Sequence, residues 1–187
     1  MPADLAMLMK RYCQGDRHAF DELYAHAAPK LLRYLVRLSG SVSAAEDLLQ
    51  LSFLKLHRAR ASYIEGAAPL PWMYTIAHRT FLDHARKHKR AKIVDVGGEL
   101  PEQRANLRGQ LHLDGTESAE DGEELERTME ALQALPPSQR QAVVLTKLDG
   151  KSMQEAAEIA GTSTGAMKVR AHRGYQALRK SLGASKA

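Results

Sequence analysis

The sequence lacks the features that mark secreted, zinc-bound and membrane-spanning proteins. Its single cysteine, Cys13, has no partner for an internal disulfide, and no Cys/His spacing matches a four-ligand zinc site. No apolar run approaches the roughly 20 residues that span a bilayer, and the first residues lack the basic start and cleavage site of a signal peptide. We therefore expect a soluble protein of the reducing cytoplasm.

Aromatic residues are also scarce, at 5% of the 187 residues, and runs of Val, Ile and Thr are few. Because such residues build sheets, and because apolar positions here recur at helical spacing, an all-α fold is predicted. The chain has no nucleophile elbow, phosphate loop or paired carboxylates. We therefore expect neither an enzyme nor a small-molecule substrate or cofactor.

Two local features suggest a metal or redox site only weakly. His84 and His88 stand four residues apart, a spacing that can bind metal on a helix, but the basic side chains beside them would repel a cation. Cys13 has no neighbouring cluster of positive residues, so we expect it to be a small core residue. No metal site is predicted.

Charge divides the chain into three blocks. Residues 1–94 carry a net charge of +7, residues 95–126 carry −8, and residues 127–187 carry +6. Basic folded units attract polyanions, whereas an acidic, Gly-containing stretch with few aromatics buries too little surface to fold alone. The pattern predicts two nucleic-acid-facing domains, at 1–94 and 122–187, joined by an acidic flexible linker at 95–121.

Four helices are predicted in the first domain, at about 3–14, 16–38, 43–60 and 72–92. Asp16 is a plausible N-cap of the second helix, and Ser43 with Glu46 forms the capping-box pattern that begins the third. The tract at 65–71, with two prolines, is a loop.

Four more helices are predicted in the second domain, at about 123–135, 138–147, 152–160 and 164–182. Ser152 and Glu155 form another capping-box pattern, Gly161 stops that helix, and Ser163 can cap the last one. Two helices joined by a tight Gly-containing turn, the second of them basic, are typical of a helix-turn-helix.

The last helix is the best candidate for reading duplex DNA, since every charged side chain after Glu158 is positive. Helical spacing places Met167, Ala171, Gly174 and Leu178 on one side to pack on neighbouring helices. A second stripe holds Lys168, Val169, His172, Arg173 and Gln176. Such side chains can contact base edges in a major groove, and Arg170 and Arg179 beside them suit phosphates. The alternative is a solvated basic helix end.

The third helix has two differing faces. Ala45, Leu48, Leu49, Ser52, Phe53 and Leu56 follow the spacing of one buried face. The opposite face has Asp47, Gln50, Leu51, Leu54, Lys55 and Arg58. Large apolar residues among polar ones suggest a partner-docking surface, and a wider core stripe is the alternative.

The fourth helix interleaves aromatic and basic residues. It holds Trp72, Tyr74 and Phe81 together with Arg79, Arg86, Lys87, Lys89, Arg90 and Lys92. Unstacked bases bind aromatic faces and the backbone binds cations, so this pattern suits single-stranded DNA. Trp72 by itself is better explained as a core residue.

Three segments resemble, in order, the signature segments of the extracytoplasmic-function (ECF) sigma factors. They are AEDLLQLSFLKLHRAR at 45–60, PWMYTIAHRTFLDHARKHKR at 71–90 and LPPSQRQAVVLTKLDGKSMQEAAEIAGTSTGAMKVRAHRGYQALRK at 135–180. With GDRHAFDELYAHAAPKLLRYL before them, the resemblance covers nearly the whole chain except the linker.

The resemblance implies partners and residue roles. Docking on the clamp helices of the largest subunit of core RNA polymerase is implied for Asp47, Gln50, Leu51, Leu54 and Arg58. Capture of the melted −10 strand of promoter DNA is implied for the loop at 63–70 and for Tyr63, Trp72, Tyr74, Arg79 and Arg86. Reading of the −35 duplex is implied for Thr164, Lys168, Val169, Arg170, His172 and Arg173. The acidic linker would follow the RNA exit path, and an anti-sigma factor, sometimes membrane-bound, would hold the protein inactive until a stress releases it.

Two positions depart from the family pattern. Leu51 stands where the family usually has an acid, and Arg79 where it usually has Asn, so the identity of the captured base is open. The rival hypothesis is a helix-turn-helix regulator that binds operators without polymerase. It explains residues 122–187 equally well, but it does not explain the mixed face of the third helix or the basic aromatic fourth helix.

Overall fold

A computed structural model describes residues 4–94 and 119–184, and these residues contain helices and no strand. The first unit comprises four α-helices: α1 (Leu5–Cys13), α2 (Arg17–Ser39), α3 (Val42–Ala59) and α4 (Pro69–Val94), with a 3₁₀ turn at Arg60–Ser62. The second unit comprises α5 (Ala119–Ala134), α6 (Pro137–Val143), α7 (Met153–Ala160) and α8 (Thr164–Ala184), with a π-helical turn at Val144–Leu148 directly after α6. The predicted all-α fold in two helical parts is confirmed. Most of the predicted linker lies outside the described residues, and its last residues belong to α5.

Most helix ends lie where the sequence signals placed them, but α4 begins at Pro69 instead of Trp72, so it includes the last three residues of the predicted loop at 65–71. Proline fits this first turn, because its missing N–H has no partner there in any case. The Asp16 carboxylate accepts hydrogen bonds from the backbone N–H groups of His18 and Ala19, at 2.9 and 3.2 Å. Gly40 ends α2 with φ +72°, a left-handed conformation that glycine adopts without steric cost. Both confirm that a side-chain cap and a glycine set the bounds of α2.

The predicted start of α3 is wrong by two residues. The helix begins at Val42, because the Ser41 hydroxyl caps it by accepting a hydrogen bond from the N–H of Ala44 at 3.3 Å. Ser43 is therefore already inside the first turn. Once Gly40 has ended α2, Ser41 is the first residue with an extended backbone and a capping side chain.

The core of the first unit is an interlocked aromatic and aliphatic cluster. The predicted buried face of α3 is confirmed, since all six of its residues are buried against α2 and α4. Phe53 packs on Tyr24 with ring centroids 4.6 Å apart. Cys13, by contrast, is exposed, because Leu8, Met9 and Tyr12 form the buried side of α1, so its expected core role is wrong.

The two units pack on each other, which the sequence did not predict. The helical turn Val144–Leu148, together with α5, α6 and α7, lies against α2 and α4. The Arg37 guanidinium meets the Asp149 carboxylate at 2.6 Å, and only 6% of the Asp149 side chain is exposed. We call this surface the inter-unit contact. Its polar members are Tyr34, Arg37, His78, Gln133, Arg140, Gln141 and Asp149.

Candidate nucleic-acid and polymerase interface

The five candidate docking residues on α3 share the side that points away from the core. Asp47, Gln50, Leu51, Leu54 and Arg58 are all exposed. Leu51 and Leu54 are each 46% exposed, although two such leucines would be buried in a wider core stripe. The structure thus leaves a mixed apolar and polar surface one helix long, with the composition of a protein-docking site.

The loop before α4 is held at both ends. The Tyr63 hydroxyl donates a hydrogen bond to the carbonyl of Ala67, and its ring meets the edge of Trp72 at 5.3 Å between centroids. Glu65 pairs with Lys10 of α1 at 2.5 Å. Between these contacts the Ile64 side chain is 76% exposed. The loop therefore presents an apolar side chain next to the packed rings of Tyr63 and Trp72.

The candidate −10 residues do not all share one surface. Arg79 and Arg86 are exposed on α4, and Trp72 and Tyr63 are half-buried near its start. Tyr74 is only 2% exposed, because it faces the second unit. The Lys151 ammonium lies 4.5 Å above the Tyr74 ring, and burial followed by the charge of Asp149 raises the pKa of this phenol well above its ordinary value.

The helix-turn-helix has the geometry that the sequence predicts. Ser152 and Glu155 form a reciprocal capping box, with hydrogen bonds of 3.1 and 2.9 Å. Gly161 has φ +61° at the turn, and the Ser163 hydroxyl caps α8 by accepting from the N–H of Ala166 at 3.1 Å. These three local signals set the start of α7, the turn after it and the start of α8, which is the helix–turn–helix order of the motif.

The predicted packing side of α8 is confirmed, since Met167, Ala171, Gly174 and Leu178 are buried. Gly174 is required there, because a Cβ would stand 2.7 Å from the Val143 side chain. The candidate −35 residues lie on the other side of the helix: Thr164, Lys168, Val169, His172 and Arg173 are exposed, and Arg170 is half-buried. This exposed stripe has room to enter a major groove.

Several polar residues of the inter-unit contact escaped the sequence prediction. His78 lies between Tyr34 and Gln141, with its ring nitrogens 3.1 Å from the Tyr34 hydroxyl and 2.9 Å from the Gln141 amide nitrogen. Burial, with a smaller effect of the Arg79 charge, lowers the pKa of His78 to about 4, so this imidazole is neutral at physiological pH. In the sequence these residues cannot be distinguished from exposed polar residues on a helix, because the helices that bury them are distant along the chain.

The candidate metal ligands do not form a larger cluster. The Nε2 atoms of His84 and His88 are 3.0 Å apart on the outside of α4. Within 4–94 and 119–184, no group of three or more His, Cys, Asp and Glu residues is arranged to hold a metal ion. No helix in the described part of the chain is long and apolar enough to cross a membrane.

Comparison with known proteins decides the family. The sigma-70 region 2 model matches residues 23–91, and the sigma-70 region 4 model matches residues 125–178. The RNA polymerase sigma factor CarQ of Myxococcus xanthus is 37% identical over 94% of this chain and 95% of its own length. The ECF sigma factor SigF of Caulobacter vibrioides is 33% identical over 93% of this chain and 91% of its own length. The chain belongs to the ECF family of RNA polymerase sigma factors.

A solved sigma factor shares the fold of this one. The sigma factor RpoE from Bartonella quintana, crystallised in complex with the anti-sigma factor NepR, matches with a TM-score of 0.75 and 28% identity, covering 88% of this chain and 96% of that one. The protein described by the present sequence is an alternative sigma factor, which directs transcription to specific promoters. Its first unit is region 2 and its second is region 4, and sigma factors are not enzymes.

Proposed function

We propose that this sigma factor divides promoter recognition among three exposed surfaces. The proposal is supported by the exposure, at least in part, of every residue that the family resemblance singles out on α3, on α4 with its preceding loop, and on α8, with the exception of the buried Tyr74. Each surface has the chemistry of a different partner: apolar and polar for protein, aromatic and basic for single-stranded DNA, and basic for duplex DNA.

The α3 surface docks on the clamp helices of core RNA polymerase. Leu51 and Leu54 supply apolar area, and Asp47, Gln50 and Arg58 surround them with polar groups. Because Leu51 replaces the usual acid, this sigma factor relies more on apolar area and less on charge for docking.

The −10 element is captured at the loop and α4. A base that leaves the melted non-template strand lies against the apolar loop tip and the Tyr63–Trp72 pair, and Arg79 and Arg86 bind the backbone. Binding the single strand more tightly than the duplex shifts the melting equilibrium toward the open promoter without covalent chemistry. We therefore assign no enzymatic activity to the protein.

The −35 element is read in the major groove by α8. Lys168, Val169, His172 and Arg173 approach base edges, and Thr164 and Arg170 lie near phosphates. The domain bounds 1–94, 95–121 and 122–187 follow from this division, with the acidic linker in the RNA exit path. An anti-sigma factor, like that bound to the Bartonella quintana factor, holds the protein inactive in the cytoplasm or at the inner membrane.

The test is run-off transcription on a promoter library, using core RNA polymerase with and without the protein. We expect new start sites that share spaced −35 and −10 elements. A protein that binds duplex DNA but never directs initiation would refute polymerase docking through α3 and would favour the operator-binding regulator.

A further inference from the structure

We propose that α1 positions the base-capture loop, and that Lys10 and Tyr12 of this helix hold the loop in the conformation that receives a −10 base. The base-capture loop is defined as residues 63–68, between the 3₁₀ turn and α4. The inference rests on the proposed function, because it takes this loop as the place where the melted strand is captured. It adds a role for a helix that lies outside the region 2 match, which begins at residue 23.

Helix α1 is itself a fixed support. Leu8, Met9 and Tyr12 are buried, and the helix packs on α2 and α4. The Asp4 carboxylate caps the first turn by accepting a hydrogen bond from the N–H of Ala6 at 3.0 Å. A helix that is anchored along one side and capped at its start can hold other groups in place with its remaining sides.

The first link from α1 reaches the middle of the loop. The Lys10 ammonium lies 2.5 Å from the Glu65 carboxylate, and both side chains are more than half exposed. Glu65 directly follows the exposed Ile64. An exposed ion pair contributes little to the stability of a whole protein. A short surface loop opens at a much smaller free-energy cost than the core, so even a weak pair shifts the conformation of the loop.

The second link holds the turn from which the loop starts. The Tyr12 oxygen lies 2.7 Å from His57 Nδ1, and Arg60 Nη1 lies 3.0 Å from His57 Nε2. Because a guanidinium only donates, Nε2 accepts, and the neutral ring therefore carries its proton on Nδ1 and donates it to the Tyr12 oxygen. The imidazole thus connects α1 to Arg60, the first residue of the 3₁₀ turn.

The backbone of Arg60 is held as well. Its carbonyl accepts a hydrogen bond from the Cys13 thiol, with sulfur and oxygen 3.4 Å apart, and another from the N–H of Tyr63 at 3.2 Å. The Arg60 guanidinium also donates to the carbonyl of His57 at 2.8 Å. Because both the side chain and the backbone of Arg60 are bonded, the chain enters the loop at Tyr63 in a fixed direction.

These links set the position of the aromatic pair that receives the base. The Tyr63 hydroxyl donates to the carbonyl of Ala67 at the far end of the loop, and the Tyr63 ring packs on Trp72. A loop that already has the receiving conformation loses less conformational entropy when a base binds, so its affinity is higher. Loss of either link to α1 should therefore weaken capture of a single strand and leave duplex reading by α8 unchanged.

The test exchanges the charges of Lys10 and Glu65 in the full-length protein. The variants are Lys10→Glu, Glu65→Lys and the double exchange, which re-forms the pair with its charges reversed and keeps the net charge of wild type. Lys30→Glu on α2 and Glu126→Lys on α5 are the matched controls, because both residues are exposed and the charge changes are the same.

A further variant tests the second link without a change of charge. Tyr12→Phe removes the oxygen that contacts His57 and keeps the buried ring. Tyr24→Phe on α2 is its control, because the Tyr24 side chain is 42% exposed.

Two measurements report on the loop and on DNA separately. Trp72 is the only tryptophan in the sequence, so quenching of its fluorescence by acrylamide measures solvent access to the Tyr63–Trp72 pair. Fluorescence anisotropy measures binding to a random single-stranded DNA pool and, separately, to a random duplex pool.

We expect Lys10→Glu, Glu65→Lys and Tyr12→Phe each to increase the quenching of Trp72. Each should bind the single-stranded pool about threefold more weakly than its matched control, since an exposed ion pair or a single hydrogen bond contributes about this factor. The double exchange should return both values toward wild type. Duplex affinity should equal that of the matched control in every variant.

Three results would each overturn the inference. The first is variants that match their controls in quenching or in single-strand affinity, and the second is a double exchange that remains as weak as the single variants. The third is an equal loss of duplex affinity, because the effect would then not be specific to the loop. If all variants behave as expected but the wild-type protein directs no initiation with core polymerase, the proposed function fails and the positioning of the loop by α1 stands.

Discussion

Two exposed leucines on α3 supply most of the apolar area of the proposed polymerase-docking surface. We predict that Leu54→Ala weakens binding to core polymerase about tenfold, because a central apolar anchor is typically worth 1–2 kcal/mol. Glu46→Ala, exposed on the same helix, should change affinity less than twofold. Titration of labelled protein with core polymerase measures both. Equal binding by Leu54→Ala and wild type would remove this residue from the docking surface.

His78 gives the protein a predicted sensitivity to acid. Its folded pKa of about 4 lies below the 6.5 of an unfolded chain, so the unfolded state binds more protons between these values. The stability that neutral His78 provides is complete above about pH 6.5 and is lost as the pH falls toward 4. Between pH 7 and pH 5 the loss is about 2 kcal/mol.

Denaturant unfolding at pH 7 and pH 5 checks this prediction, with His78→Gln as the comparison. The Tyr34 hydroxyl and the Gln141 amide contact the imidazole, and burial raises the pKa of Tyr34 well above its ordinary value, so neither contact changes charge in this range. Burial raises the folded pKa of Asp149, so its protonation acts on stability in the opposite direction. From pH 7 to pH 5 the free energy of unfolding of His78→Gln should fall by about 2 kcal/mol less than that of wild type. An equal fall in the two proteins would contradict the prediction.

Helix ends are decided by single capping side chains. We predict that Ser41→Ala destabilises the protein by about 1 kcal/mol, since Ala44 loses the acceptor for its N–H. Ser43→Ala should change stability little, because Ser43 is exposed in the first turn of α3. Denaturant unfolding measures the stability of both variants. If Ser43→Ala were the more destabilising of the two, Ser43 would be the N-cap, as the sequence spacing predicted.

Helix α8 contains a matched pair of glycines. Gly174→Ala places a methyl 2.7 Å from the Val143 side chain and 3.0 Å from the Gln139 carbonyl, so a loss of about 1–3 kcal/mol is expected. Gly165→Ala meets nothing within 4 Å and should gain about 0.5–1 kcal/mol from helix propensity. Thermal unfolding measures both, and a stabilising Gly174→Ala would show that α6 can move away from α8.

Charge distribution controls DNA affinity at the scale of the whole molecule. In the holoenzyme, Arg173→Ala should relax preference at one position of the −35 element, whereas Arg179→Ala should weaken all sequences alike and reduce the salt slope by about one. Binding to duplex variants at several salt concentrations separates the two effects. A uniform loss for Arg173→Ala would reassign that residue to a phosphate.

The sequence by itself determined the helical class, the helix-turn-helix and the buried sides of α3 and α8. These features depend on residues within one or two turns of each other, as with Ser152 and Glu155 at the start of α7. Local hydrogen bonds and 3.6-residue periodicity are visible in a single segment, so they could be predicted without knowing any partner helix.

Only the tertiary structure decided which polar residues are buried and how the regions meet. Tyr74 has the same place in the pattern of α4 whether DNA or region 4 covers it, and its burial follows from Asp149 and Lys151. Arg37 meets Asp149 across 112 positions of sequence. No periodicity within a helix encodes such a pairing, because its energy depends on the packing of two separately folded surfaces.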